Sequence, residues 1–128
     1  MSYLFDTTVA IDWSLDYPGI KAVVEACFEE TGRLYTCDVV TCEALSGGTA
    51  DERDVIRRFL TVLEYVALDP DGAASAGELR RMAGRSGAHS LGDALIAALA
   101  QRLGATVVTR NAADYAAYEV PVVGYGSA

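Results

Sequence analysis

Five short apolar runs, separated by stretches with helical periodicity, constrain this chain more than any other feature. The runs Tyr3–Phe5, Leu34–Cys37, Tyr65–Leu68, Thr106–Thr109 and Val120–Val123 have the length and composition of buried strands. Between them, Ile20–Glu30 places Ile20, Val23, Val24, Cys27 and Phe28 on one stripe, and Asp51–Leu63 does the same with Val55, Ile56, Phe59, Leu60 and Leu63. Asp38–Ser46, with Asp38 as N-cap, Ala73–Gly84, Leu91–Leu103 and a short Ala112–Tyr118 complete the expected helices. Strands alternating with helices predict an α/β fold: three α/β/α layers around a central, mainly parallel sheet of four to five strands. The 128 residues form one domain, 1–128, and a hydrophobic fraction of 52% suits a sheet covered on both faces.

In such folds ligands bind beyond the carboxyl ends of the strands. Asp6 directly follows the first run, and Asn111 follows Thr106–Thr109. Asp93 and Asp114 stand at the lips of two further apolar elements, and Glu43 sits among Val39, Val40 and Leu45. Each acid has a local explanation. Asp6 can cap a helix opened by Thr7 and Thr8. Ser90-Leu-Gly-Asp93 fits a capping box, and Asn111 with Asp114 repeats it. Glu43 shares a helix face with Val39 and Val40, so it needs a partner, a buried arginine or a cation.

Taken together the acids point elsewhere. Two carboxylates ~4 Å apart repel by roughly 4 kcal/mol at an effective dielectric near 20. A cluster of four raises its own pKa values unless a cation offsets it. Hard oxygen donors favour Mg²⁺ or Mn²⁺, the ions used in phosphodiester chemistry.

A net charge of −8 argues against a sequence-independent grip on nucleic acid. The basic residues are nine arginines and Lys21, and the arginines could serve phosphate. Arg80, Arg81 and Arg85, like Arg53, Arg57 and Arg58, also fit solvated helix faces. Arg110 lies beside the acids, where a salt bridge competes with a functional role. Cys27, Cys37 and Cys42 lack metal-ligand spacing and read as small buried apolar residues. Trp13, Tyr17 and Tyr65 read as packing residues, and His89 as a turn residue. No apolar stretch approaches the ~18 residues of a membrane span, and no basic segment precedes the first apolar run. A cytoplasmic protein without a signal peptide is expected.

Four segments carry a family resemblance: Phe5–Thr8 (FDTT), Thr41–Leu45 (TCEAL), Gly92–Ala100 (GDALIAALA) and Thr109–Tyr115 (TRNAADY). In this order and spacing, across essentially the whole chain, they resemble PIN-domain ribonucleases of the VapC toxin type. The resemblance implies a PIN-like fold and metal-dependent hydrolysis of RNA by activated water. It implies Asp6 and Asp93 as principal metal ligands, Glu43 as ligand or base, and Asp114 as the fourth acid. Some relatives carry an acid at the position of Asn111, leaving open which of Asn111 and Asp114 lies nearer the metal. Thr7, Thr109 and Asn111 are implied as polar supports of the carboxylates. The implied cofactor is Mg²⁺ or Mn²⁺. The implied partners are an RNA substrate, a cognate antitoxin and a second copy of the chain.

Two other readings compete. An aspartyl-phosphate phosphatase needs a second Asp where this chain has Thr8, and a late lysine where it has only Lys21. A catalytically silent PIN domain acting as a binding module would be expected to lose one or more of the acids, and this chain keeps all four.

Overall fold

Period-two burial along the first strand sets the architecture. In β1 (Tyr3–Phe5), Tyr3 and Phe5 enter one core and Leu4 the other, and all three are buried. Only a sheet covered on both faces allows that. The computed structural model describes residues 1–30, 32–85 and 90–126, so His89 lies outside the described residues.

The remaining strands are β2 (Leu34–Cys37), β3 (Glu64–Val66), β4 (Thr106–Thr109) and β5 (Val122–Gly124). Their order is β3-β2-β1-β4-β5, and every pairing is parallel. The helices are α1 (Thr7–Ser14), α2 (Ile20–Glu29), α3 (Asp38–Ala44), α4 (Ala50–Thr61), α5 (Pro70–Met82) and α6 (Leu91–Leu103). On one face, α1, α2 and α4 bury Val9, Val24 and Phe59 with Phe5. On the other, α5 and α6 bury Ala76, Ile96 and Leu99 with Leu4 and Val107. Helix α3 contributes Val40 to the second core and Ala44 to the first. The three-layer α/β/α expectation holds, with five strands.

Helix α6 lies deepest. Ala94, Ala97, Ala98 and Ala100 are each no more than 1% exposed, so their small side chains let the helix approach its neighbours closely. This anchors Asp93 at the helix's first turn. The chain runs β1, β2, β3 in one direction, then returns to place β4 on the far side of β1. The strand order therefore reverses between β1 and β4, where open α/β sheets form a ligand crevice.

Several boundaries differ from the sequence expectation. Helix α1 opens at Thr7 under an Asp6 cap, as that capping reading allowed, but its extent was not legible, because its buried positions are Val9, Ala10 and Asp12, and the acid breaks the apolar stripe. Cys37, not Asp38, occupies the cap position of α3; Asp38 is the first helical residue and its carboxylate accepts from the Val39 N–H at 3.0 Å. Helix α5 starts at Pro70 rather than Ala73, because Asp69 caps the Gly72 N–H at 2.8 Å and proline suits the first helical position. Ala112–Tyr118 is a 3₁₀ segment. Strand β5 begins after Pro121, which has no N–H to donate. All three cysteines are free; Cys27 and Cys37 are buried as expected, whereas Cys42 is exposed. Tyr65, expected in the packing, is 57% exposed on the edge strand β3. None of the described helices is long and apolar enough to cross a membrane.

Candidate active site

Asp6 leaves β1 with extended backbone (φ −78, ψ 178) and caps α1. Its Oδ1 accepts from the Thr8 N–H at 3.0 Å and from the Thr8 hydroxyl at 2.5 Å. Its Oδ2 accepts from the Tyr115 hydroxyl at 3.2 Å. The residue is 3% exposed. Burial pushes its pKa up, while hydrogen bonds from Thr109, Thr8 and Tyr115 pull it back. Capping and a role at the sheet edge therefore coexist in one side chain. Among the described residues, every neighbour that donates to it is a neutral group.

Asp93 tells a different story from the one its sequence suggested. Ser90 is left-handed (φ 57) and makes no side-chain cap bond to α6, so the capping-box reading fails. Asp93 sits half-buried in the first turn of α6, and its carboxyl is pushed up to about 6. Burial is the largest cause, followed by repulsion from Asp114, Asp6 and Glu43, with Arg85 pulling in the opposite direction. The tertiary structure thus brings the other three predicted acids within electrostatic range of Asp93.

Glu43 corrects a further expectation. It is exposed, not set into an apolar helix face, and its partner is a hydroxyl rather than a buried arginine. Thr7 Oγ1 donates to Glu43 Oε1 at 2.7 Å. The reason lies in helical geometry: Val40 and Ala44, four apart, form the buried stripe of α3, and Glu43 is turned about 100° away from Ala44.

Asp114 is exposed on the 3₁₀ segment, and its carbonyl accepts from Arg85 at 3.3 Å. Asn111 does not cap that segment with its side chain; instead its N–H donates to Thr109 Oγ1 at 2.9 Å. Two clefts of similar size reach the acids, besides a smaller one of about 170 Å³ beside Glu43. One of about 470 Å³ is lined by Asp38, Val39, Cys42, Glu43, Leu91, Gly92 and Leu95. The other, about 490 Å³, is lined by Arg110, Asn111, Asp114 and Tyr125 among others.

The PIN domain profile matches residues 3–119. The chain belongs to the PIN-domain family. Over 116 residues this PIN domain is 34% identical to ribonuclease VapC11 of Mycobacterium tuberculosis, covering 85% of this chain and 86% of the relative. Its fold matches VapBC2 from Rickettsia felis, solved bound to a promoter DNA fragment, with TM-score 0.80 and 20% identity over 98% of this chain and 100% of the other. A toxin–antitoxin complex from Klebsiella pneumoniae matches with TM-score 0.78 and 26% identity, covering 98% and 99% of the two chains.

The PIN domain also contains residues that sequence reasoning did not single out. Thr8, not Thr7, braces Asp6, and its hydroxyl also accepts from the Arg110 N–H at 3.0 Å, tying the β1 and β4 ends together. The signal was available: an Asp commonly bonds the backbone two residues on. Tyr115 was visible only as the aromatic following Asp114. Its phenol is driven strongly upward by burial and the neighbouring acids, so it stays a donor to Asp6. Asp12 was overlooked altogether. It is 1% exposed and accepts from Arg110 Nε at 2.8 Å and from the Tyr125 hydroxyl at 2.7 Å. Arg110 additionally stacks over Tyr17 at 4.9 Å, so this arginine, next to Asn111 in sequence, is held in a salt bridge with Asp12. Arg85 lies over Tyr118 at 5.1 Å rather than on a solvated helix face.

Whether these residues suit a divalent ion follows from the donor set. Among the described residues, no group of three acidic, histidine or cysteine side chains is disposed to hold an ion unaided. Mg²⁺ does not require one, since it is commonly held by one or two carboxylates with water and phosphate oxygens completing the shell. Asp6 and Asp93 supply two hard carboxylates, and the excess negative charge recorded in the raised Asp93 carboxyl is what a cation offsets. The residues fit the ion.

Proposed function

We propose that this PIN domain is a Mg²⁺- or Mn²⁺-dependent endoribonuclease toxin, with Asp6, Asp93, Glu43 and Asp114 as its site. The observation that carries the reading is Asp6: a buried carboxylate with only neutral donors among the described residues, lying close enough to Asp93 to help raise its carboxyl, as Asp114 and Glu43 also do. Such a group is stable in the fold only at a cost, and a cation recovers that cost.

Asp6 and Asp93 would hold the ion, with Asp114 contributing through water. When bound, the ion supplies charge stabilisation at the phosphate and a more acidic water. The chain's own residues do the rest. Thr8, Tyr115 and Thr109 fix the Asp6 carboxylate in one orientation. Glu43, accessible and held by Thr7, accepts the proton of the attacking water. That water forms a bond to phosphorus, the P–O bond to the leaving oxygen breaks, and the leaving oxygen gains a proton.

The toxin reading also supplies partners. A cognate antitoxin and a second copy of this chain are proposed from the complexes in which its relatives were solved. An antitoxin segment with basic or aromatic side chains suits a chain of net charge −8. A cytoplasmic location fits this pair.

The test is RNA cleavage by the purified protein with Mn²⁺, Mg²⁺ or chelator, followed by sequencing of the cleaved ends. Asp6→Ala and Asp93→Ala are expected to abolish cleavage and weaken calorimetric Mn²⁺ binding. Undiminished cleavage by both variants would sink the proposal. Absent Mn²⁺ binding together with tight antitoxin binding would favour the silent binding module.

A further inference from the structure

We infer that Gly92 is the positioning residue for Glu43: the missing side chain at 92 makes the space that the Glu43 carboxylate occupies beside Asp93. This rests on the proposed role of Glu43 in the ribonuclease site. A Cβ at position 92 would overlap Glu43 Oε2, and would lie 2.8 Å from Cδ and 2.9 Å from Oε1. All three carboxylate atoms are closer than a real Cβ tolerates. Thr7 Oγ1 holds Oε1 at 2.7 Å as well. Residues of α1 and α6 thus confine a side chain that α3 delivers.

Nothing in the backbone asks for glycine here. Gly92 is the second residue of α6 and is not among the positive-φ glycines. Within a helix, glycine is less favourable than alanine by roughly 0.5–1 kcal/mol. A residue unfavourable to its helix, packed against the carboxylate of another element, is explained by that carboxylate. The overlap is with the far end of a flexible, exposed side chain, so an alanine would turn Glu43 out toward solvent without disturbing the core. The fold would gain or hold its stability while the site lost its acid.

The experiment is a double-mutant cycle of Gly92→Ala and Glu43→Ala, read by Mn²⁺ calorimetry, steady-state RNA cleavage and thermal melting. Gly92→Ala alone is expected to lower Mn²⁺ affinity, or kcat at saturating Mn²⁺, by about tenfold, the usual effect of losing a supporting residue at a metal site. Its Tm is expected to equal or exceed that of the parent. In the Glu43→Ala background the same substitution is expected to change neither quantity. A full tenfold loss in that background, or no loss in the parent, overturns the inference while leaving the ribonuclease reading intact. No effect of Glu43→Ala itself overturns the role of Glu43 and the inference with it. A crystal structure of Gly92→Ala with the Glu43 carboxylate unmoved also overturns it.

Discussion

Asp6 caps α1 and Asp12 lies within it, and the two are almost equally buried, at 3% and 1% exposure, yet their surroundings are opposite. Asp12 receives a guanidinium from Arg110 and a hydroxyl from Tyr125. Asp6 receives hydroxyls from Thr8 and Tyr115 and a backbone N–H, but no cation among the described residues. Burial of a carboxylate is costly in both cases. At Asp12 the protein supplies the compensating charge from β4's far end, making the acid structural. At Asp6 the described residues supply orientation only, and in the proposed function a divalent ion supplies the charge. The Asp12–Arg110 pair has a second effect: it holds the Arg110 guanidinium in a salt bridge away from the four acids.

The comparison breaks most sharply under charge removal. Asp6→Asn keeps the shape and is expected to cut RNA cleavage by more than about 100-fold, beyond what loss of a supporting group costs, with the melting temperature of the metal-free protein unchanged or raised. Asp12→Asn is expected to do the reverse. It leaves Arg110 without its partner and should destabilise the fold by about 2 kcal/mol, discounted from fully buried pairs because Arg110 is partly exposed. Thermal melting should then show a fall of roughly 6–10 °C, while the folded fraction keeps cleaving RNA. If Asp12→Asn instead lost activity at full stability, the division of roles would be wrong.

Tyr115→Phe probes the orientation given to Asp6. It removes the phenol's hydrogen bond to Oδ2 and should weaken Mn²⁺ binding by about tenfold in calorimetry. Wild-type affinity in that variant would mean the phenol merely packs. The smallest effect concerns Asp93, whose carboxyl is pushed up to about 6. Between pH of about 4 and 6 the folded chain holds a proton there that the unfolded chain has lost, so apo stability falls as pH rises across that window. Asp93→Asn removes this penalty. It should melt higher than the parent at pH 7 by about 1 kcal/mol of stability, after allowing for solvent screening, and match it below about pH 4. Mn²⁺ binding to the parent should weaken as pH falls through about 6, because protons compete for the same oxygens.

Much of the site was legible because strand-edge acids follow from topology. Asp6 after β1 and Asp93 at the start of α6 could be placed from apolar periodicity alone. Glu43 was misplaced because periodicity assigned it to the face of Val39 and Val40, whereas the buried stripe runs through Val40 and Ala44. The capping readings of Asp93 and Asp114 failed because Ser90 and Asn111 make no side-chain cap bonds, and backbone conformation is not written in a short motif. Asp12 stayed hidden inside a helix whose stripe it interrupts, since its partner lies 98 residues away.

The chain's own order of residues determined the layers, the parallel strands and the acids at their carboxyl ends, because burial periodicity and capping chemistry act over a few neighbouring positions. Tertiary structure alone decided which acids meet, which arginine is withheld from them and why position 92 carries no side chain. Those are distances between elements far apart in sequence, set by how α1, α3, α6 and the sheet pack, and no local pattern encodes them.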